Sequence, residues 1–268
     1  MERPSWVPTD VDLEHPSAAR VYDYYLGGSH NFAVDREMAR RAIALWPDLP
    51  QVLQANRAFL RRAVRYLVSQ GITQFLDIGS GIPTVGNVHE VAQEALPEAR
   101  VLYVDVEPVA VAHTRAILEG NDRADIVQAE LSDVDVILRD PRAGRLLDLS
   151  EPIGVLMVAL LHFVPDEANP AKIVASYRER MASGSYLVLS HATHEGRPDQ
   201  AGSHTALYQS TTTPMTMRSR GRVEELLNEF DMVSPGVVFL PQWRPESPSD
   251  VDDRPERFTG YAAVGRRG

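Results

Sequence analysis

Gly71-Ile72-Thr73-Gln74-Phe75-Leu76-Asp77-Ile78-Gly79-Ser80-Gly81 decides the reading of this chain. Apolar residues lead into an acid, and two glycines follow at once. A helical run, Val85 to Leu96, comes next. The spacing predicts a buried strand over 72–78, a tight turn, and a helix. Glycine lets a backbone come close to a ligand and take angles closed to other residues. A helix N-terminus offers free amide donors and suits anionic groups. Asp77, however, sits at the strand end, two residues before Gly79. A carboxylate there is unfavourable to a diphosphate and favourable to a cation.

About one strand later Val101-Leu102-Tyr103-Val104-Asp105 repeats the pattern, and Glu107-Pro108 opens another helix. An acid at the tip of the second strand commonly receives the hydroxyls of a ribose. Asp77, Asp105, Val106 and Glu107 therefore outline a nucleoside site rich in negative charge. S-adenosylmethionine, with a ribose, an amino group and a sulfonium but no phosphate, fits such a site. The pattern resembles the glycine-rich motif of class I S-adenosylmethionine-dependent methyltransferases. A dinucleotide site of the form G-x-G-x-x-G is the rival, but Thr84 stands where its third glycine belongs.

Strand and helix signals alternate from residue 71 onward. Strands are expected at 72–78, 100–105, 125–129, 153–160 and 185–190, with helices between them. Residues 153–160 are continuously apolar, which suits a central parallel strand covered on both faces. Such alternation implies right-handed crossovers and an open doubly wound sheet. Two late strands, 235–240 and 258–265, suggest an antiparallel hairpin at one edge, making seven strands. Between them lies an acidic, proline-rich loop, 241–257.

The first 70 residues read as a helical cap on a 71–268 Rossmann-like core, together a single domain. Residues 1–16 suggest a surface arm, and Ser17 a helix cap. Gly27-Gly28 ends that helix, and a polar-aromatic loop follows that would either cover a ligand or merely turn the chain. Asp35 would cap a helix to Trp46, and a longer one runs from about Gln51 to Gln70. Arg57, Arg61 and Arg65 fall on one stripe of it, expected to be a solvated face, with Asn56 and Arg57 at the pocket edge the exception.

Ligands bind beyond the carboxyl ends of the strands in such sheets, where the winding reverses. Gly79, Ser80 and Gly81 come from the first tip; Ala129, Glu130 and Leu131, from the third, would meet adenine. Leu160 and Leu161 come from the fourth. His162 follows them and is the candidate general base, or else holds its loop by hydrogen bonds. His191, His194 and His204 lack the setting of a metal site, and none is expected. Residues 191–217, rich in Thr, Ser and Gly, would form part of the substrate wall.

The chain carries 27 basic and 37 acidic side chains, a net charge of -10, which argues against non-specific binding to nucleic acid or anionic lipid. No segment approaches the roughly 20 apolar residues of a membrane span, and the N-terminus lacks an apolar signal core. With no cysteine, disulfides and thiolate chemistry are excluded, which suits a cytoplasmic protein.

The chain as a whole resembles the actinobacterial S-adenosyl methyltransferase family first catalogued as a domain of unknown function. Its carriers are the Ala18 to Gly28 run with Asn31-Phe32, the Ala55 to Arg62 run, and the glycine turn continued through Pro83-Thr84 and Gly86-Asn87-Val88-His89. Leu161-His162-Phe163-Val164-Pro165-Asp166 and Gly260-Tyr261-Ala262-Ala263-Val264-Gly265 complete it. The resemblance implies a class I methyltransferase fold and S-adenosylmethionine as cofactor, but no known acceptor. At Glu130 many relatives carry Asp. On this reading Tyr22, Asn31 and Arg57 close the site, Arg57 pairing with the cofactor carboxylate, and the acceptor is a small molecule. A non-catalytic sensor of the same ligand and a nicotinamide-dependent oxidoreductase are the alternatives.

Overall fold

The computed structural model describes residues 11–197, 202, 206–209 and 214–268. Residues 1–10 of the expected arm, His204 and much of the 198–213 wall lie outside them. Five parallel strands form the centre: β1 (Gln74–Ile78), β2 (Arg100–Asp105), β3 (Ala124–Gln128), β4 (Gly154–Val158) and β5 (Tyr186–Ala192). The sheet is completed by β6 (Asp231–Met232), β7 (Val238–Phe239) and β8 (Gly260–Arg266). The order is β3-β2-β1-β4-β5-β8-β6, with β7 also paired to β8. Winding therefore reverses between β1 and β4, and a crevice opens at their C-terminal ends. β8 runs antiparallel to β5, with Leu189 opposite Ala263. This is the α/β, Rossmann-like class I methyltransferase arrangement. It has eight strands where the sequence suggested seven, because the two-residue β6 pairs with the far end of β8.

The local reasons are ordinary ones. Leu76, Leu102, Val155 and Leu187 pack in one core beneath the sheet, while Phe75, Val101, Leu156 and Val188 pack in another above it. Alternate side chains of strands buried on both faces produce this division. Helix α4 (Val88–Ala95) starts at Asn87, whose N–H donates to Glu90 at 2.8 Å. Helix α5 (Pro108–Ile117) begins with proline, whose missing N–H costs nothing in a first turn.

Three helices precede the sheet: α1 (Ala18–Tyr25), α2 (Ala33–Leu45) and α3 (Leu49–Ser69). The amphipathic α3 sinks Phe59, Leu60, Ala63, Val64 and Leu67 into the upper core. Val21, Tyr25, Met38 and Trp46 form a further cluster with Tyr208 and Met215. Ser17 makes no side-chain cap; its N–H donates instead to Asp35 Oδ1 at 3.0 Å. Asp35 lies in the first turn of α2, accepts from the Phe32 N–H, and accepts from Arg20 Nε at 2.9 Å. Arg20 is buried; it also donates to Glu107 Oε1 at 3.2 Å and the His15 carbonyl at 2.7 Å.

The basic stripe on α3 is used more than expected. Arg65 of the stripe pairs with Glu246 at 2.9 Å, and Arg62 beside it donates to the carbonyls of Trp243 and Leu240, so the acidic 241–257 loop is fastened to α3.

Candidate active site

The turn after β1 is tied to β2 before any ligand is considered. Gly79 N–H donates to the Val104 carbonyl at 2.8 Å. Gly81 N–H donates to Asp105 Oδ2 at 2.7 Å, and Glu107 N–H to Asp105 Oδ1 at 2.9 Å. Gly79 and Gly81 have φ of 67° and 68°. A Cβ at Gly79 would stand 2.4 Å from Leu160 Cδ1, whereas one at Gly81 meets nothing within 4 Å. The first glycine is required by packing as well as by its backbone; the second faces open space.

A cavity of about 250 Å³ lies over this turn. Its floor comes from the tips of β1 to β4, and its roof from Ala18, Ala19 and Tyr22 of α1 and Asn56 and Arg57 of α3. All the expected site residues except Asn31, Leu161 and His162 line it. Asp77 and Asp105 are both buried. Burial pushes Asp77 up to about 7, a rise opposed by Arg57 and increased by Asp105. Burial likewise raises Asp105 to about 6, against the pull of the amides that donate to it. A cation in this crevice would relieve both. Arg57 donates through Nη2 to the Gly86 carbonyl at 3.0 Å. Its Nε, together with Ser80 Oγ and Thr84 Oγ1, is buried without a hydrogen-bond partner among the described residues. Buried polar groups are ordinarily satisfied, so these three point to a polar ligand. Carboxylates for a sulfonium and ribose, with one guanidinium for a carboxylate, fit S-adenosylmethionine.

Asn31 stands elsewhere. Its amide donates to Asp23 Oδ2 at 2.7 Å and to the Gly28 carbonyl at 2.9 Å. Asp23 also lies where a Gly28 Cβ would be, 2.0 Å from Oδ1. The Gly27-Gly28 loop is thus a turn closed by its own side chains, and the sequence reading of Asn31 as a ligand contact is corrected. Leu161 is fully buried in the lower core. Its place follows from the turn at Ala159, φ 55°, which redirects the chain after β4.

His162 lines a neighbouring chamber with His191. The Ala192 N–H donates to His162 Nδ1 at 3.3 Å, which places the imidazole proton on Nε2. That contact suits the reading of His162 as a histidine that holds its loop, and its place in the neighbouring chamber keeps the general-base reading as a proposal. Sequence reasoning missed the Tyr22–Asn56–Ser190 chain. Asn56 Nδ2 donates to the Tyr22 hydroxyl at 2.9 Å, Ser190 Oγ to Asn56 Oδ1 at 2.6 Å, and the Ala159 N–H to Ser190 Oγ at 2.8 Å. The Ala-Asn-Arg run on α3 was the available signal, but its partner lies 134 residues away.

Among the described residues no group of three or more His, Asp or Glu could hold a metal ion, and no helix is long and apolar enough to cross a membrane.

The sheet order, the glycine turn and the paired acids define an S-adenosylmethionine-dependent methyltransferase of class I. The chain belongs to the S-adenosyl methyltransferase family, whose model matches residues 4–268. It is similar to a DUF574 family protein from Streptomyces avermitilis, at 37% identity and a TM-score of 0.92 over 96% of this chain and 99% of that one. It is similar also to a putative methyltransferase from Thermobifida fusca, at 36% identity and a TM-score of 0.91 over 98% and 99%. An O-methyltransferase family protein from Burkholderia thailandensis shares the fold at 12% identity and a TM-score of 0.51, over 87% and 70%. No curated protein matches the chain. The family membership sets aside the nicotinamide-dependent alternative.

Proposed function

We propose that this methyltransferase acts as one domain in the cytoplasm and methylates an unidentified small molecule by in-line displacement. The carrying observation is the pair of buried carboxylates, Asp77 and Asp105, at a glycine turn with no phosphate-seeking cation in its loop. When bound, S-adenosylmethionine supplies a methyl group on a sulfonium, already activated for transfer. Asp77 and the turn backbone hold the methionine end, with Arg57 against its carboxylate. Asp105 receives the ribose hydroxyls. Glu130 and the flanking Ala129 and Leu131 face the adenine, with Val106 and Leu160 as apolar walls. Tyr22 closes the roof. Alignment is the main contribution of the protein, and holding reacting atoms about 3–3.5 Å apart is worth roughly 7–11 kcal/mol. The cysteine-free composition suits the reducing compartment.

The test is a screen with methyl-labelled cofactor. Label should pass to a compound in a small-molecule extract and leave S-adenosylhomocysteine. Label appearing only in protein or nucleic-acid fractions would overturn the small-molecule reading. Ligand-dependent stabilisation without transfer to any fraction would favour the sensor.

A further inference from the structure

Beside the cofactor crevice lies a second chamber of about 80 Å³. Ala18, Tyr22, Asn56, Ala159 and Phe163 line both cavities, so the two are separated only by shared side chains. The outer walls are apolar and aromatic: Trp46, Leu49, Leu53, Met215 and Met217 among them. No Asp, Glu, Lys or Arg is among the described lining residues.

The polar groups that do reach this chamber are mostly engaged. The Tyr25 and Tyr208 hydroxyls bond each other at 3.1 Å. His191 Nδ1 meets the Ala192 carbonyl at 2.8 Å, and its Nε2 accepts from Arg218 at 2.9 Å. Burial and the neighbouring guanidinium take its pKa down to about 4, so this ring is neutral. Arg218 is itself occupied by Asp166 and by the carbonyls of Leu161 and Val164. Ser190 and Asn56 spend their groups on the chain that ends at Tyr22. The Tyr22 oxygen accepts from Asn56, which leaves its own hydrogen to donate. Burial raises the Tyr22 pKa, so the phenol keeps that hydrogen.

Resting on the function proposed above, we infer that the second chamber is the acceptor site and that it takes an uncharged, largely apolar molecule with a compact reacting end, oriented by a hydrogen bond from Tyr22. An ion entering this chamber would lose its water without gaining a partner of opposite charge among the described residues, which is strongly unfavourable. A flat ring gains contact with Trp46 and Phe163 and with the polarisable sulfurs of Met215 and Met217. The volume sets the size: about 80 Å³ is less than the roughly 150 Å³ that accommodates a whole benzene, so the chamber seats the reacting edge of a ring and leaves its remainder toward the wall shared with the crevice. Tyr22 stands at the junction, the place where donor and acceptor must meet.

The experiment titrates the S-adenosylhomocysteine-saturated full chain with 4-fluorophenol, 4-fluorobenzoate and 4-fluorobenzylammonium, followed by fluorine NMR. The neutral phenol should bind saturably, and both ions at least about tenfold more weakly. Met217→Trp and Leu53→Trp, on different segments, fill the chamber and should each weaken phenol binding about tenfold or more by steric exclusion. Tyr22→Phe should weaken it roughly 2–10-fold, the loss of one neutral hydrogen bond. Either ion binding as tightly as the phenol, or phenol binding that survives both tryptophans, overturns the inference. Calorimetry with S-adenosylhomocysteine alone is read separately. Its failure would strike the cofactor reading, whereas normal heats with no phenol site would strike only this one. Unchanged heats in the tryptophan variants show that they are folded.

Discussion

Asp105 Oδ2 accepts the Gly81 N–H at 2.7 Å, so the acid at the tip of β2 fastens the turn at the tip of β1. The residue assigned to ribose is thus also a fixture of the glycine turn, and its loss is felt twice.

Asp105→Asn keeps an acceptor for an amide but removes the charge. S-adenosylmethionine affinity should fall by about 1.5–3 kcal/mol, the range for a hydrogen bond to a charged group. Asp105→Ala should in addition destabilise the free protein by about 0.5–1.5 kcal/mol, the net worth of the hydrogen bond from the half-buried Gly81 amide. Calorimetry reads the first and urea denaturation the second; an Asp105→Ala protein of wild-type stability and affinity would remove this residue from the site.

The two glycines of the turn should separate stability from binding. Gly79→Ala sets a methyl against Leu160 and holds alanine at positive φ. It should cost at least the ~1–2 kcal/mol of a left-handed alanine, with a packing penalty added. Gly81→Ala carries only the backbone term and places its methyl toward the crevice. Thermal melts should rank Gly79→Ala lower, and equal melting temperatures would contradict the assigned packing.

Asp77 and Asp105 titrate near 7 and 6 in the folded chain, above the ordinary carboxylate value of 3.8, because burial disfavours their charged forms. The folded state therefore binds more protons than the unfolded state between about pH 4 and 7. Their contribution to stability must fall as pH rises through that window and be flat below it. A sulfonium favours the ionised acids, so binding it releases protons. The ratio of S-adenosylmethionine to S-adenosylhomocysteine affinity should accordingly rise from pH 5 to pH 8. A ratio independent of pH would show that the acids do not sense the sulfur charge.

Arg20 is buried between Asp35 and Glu107. Removing one partner of a buried ion pair typically costs about 3–5 kcal/mol, and Arg20→Met should approach that in chemical denaturation. Arg20→Met combined with Asp35→Asn should recover part of the loss. No recovery in the double variant would mean the two residues act independently.

His162→Gln separates the two readings of this residue, general base or loop-holding histidine. A missing general base lowers turnover by about 10²–10⁴-fold. With Nδ1 accepting from the Ala192 amide, the variant should lose less than that. A hundredfold fall would favour the base.

The core strands were legible because runs such as Val101 to Asp105 are apolar on both faces and end at an acid. Local pattern also found the floor of the crevice, since Asp77, Gly79 and Asp105 lie close to strand tips. β6 escaped notice: Asp231 and Met232 are both exposed and pair for only two residues, too few to show a period. The late strand 235–240 shortened to Val238–Phe239 and ran directly into a 3₁₀ turn carrying Pro241. Asn31 misled because a glycine-rich polar loop looks the same whether it binds a ligand or closes on Asp23. His162 could not be placed from sequence because the reversal at Ala159 decides which chamber the following residues face. Neither distinction is carried by neighbours in sequence.

Helices α1 and α3 roof both cavities, whereas the tips of β1, β2 and β3 reach only the larger one. On the assignment proposed above, the donor would meet those tips together with Tyr22 and Arg57, and the acceptor would meet the same two helices together with the end of β5. Exchanging those helices between relatives offers a direct route to new methylation chemistry on an unaltered source of methyl groups.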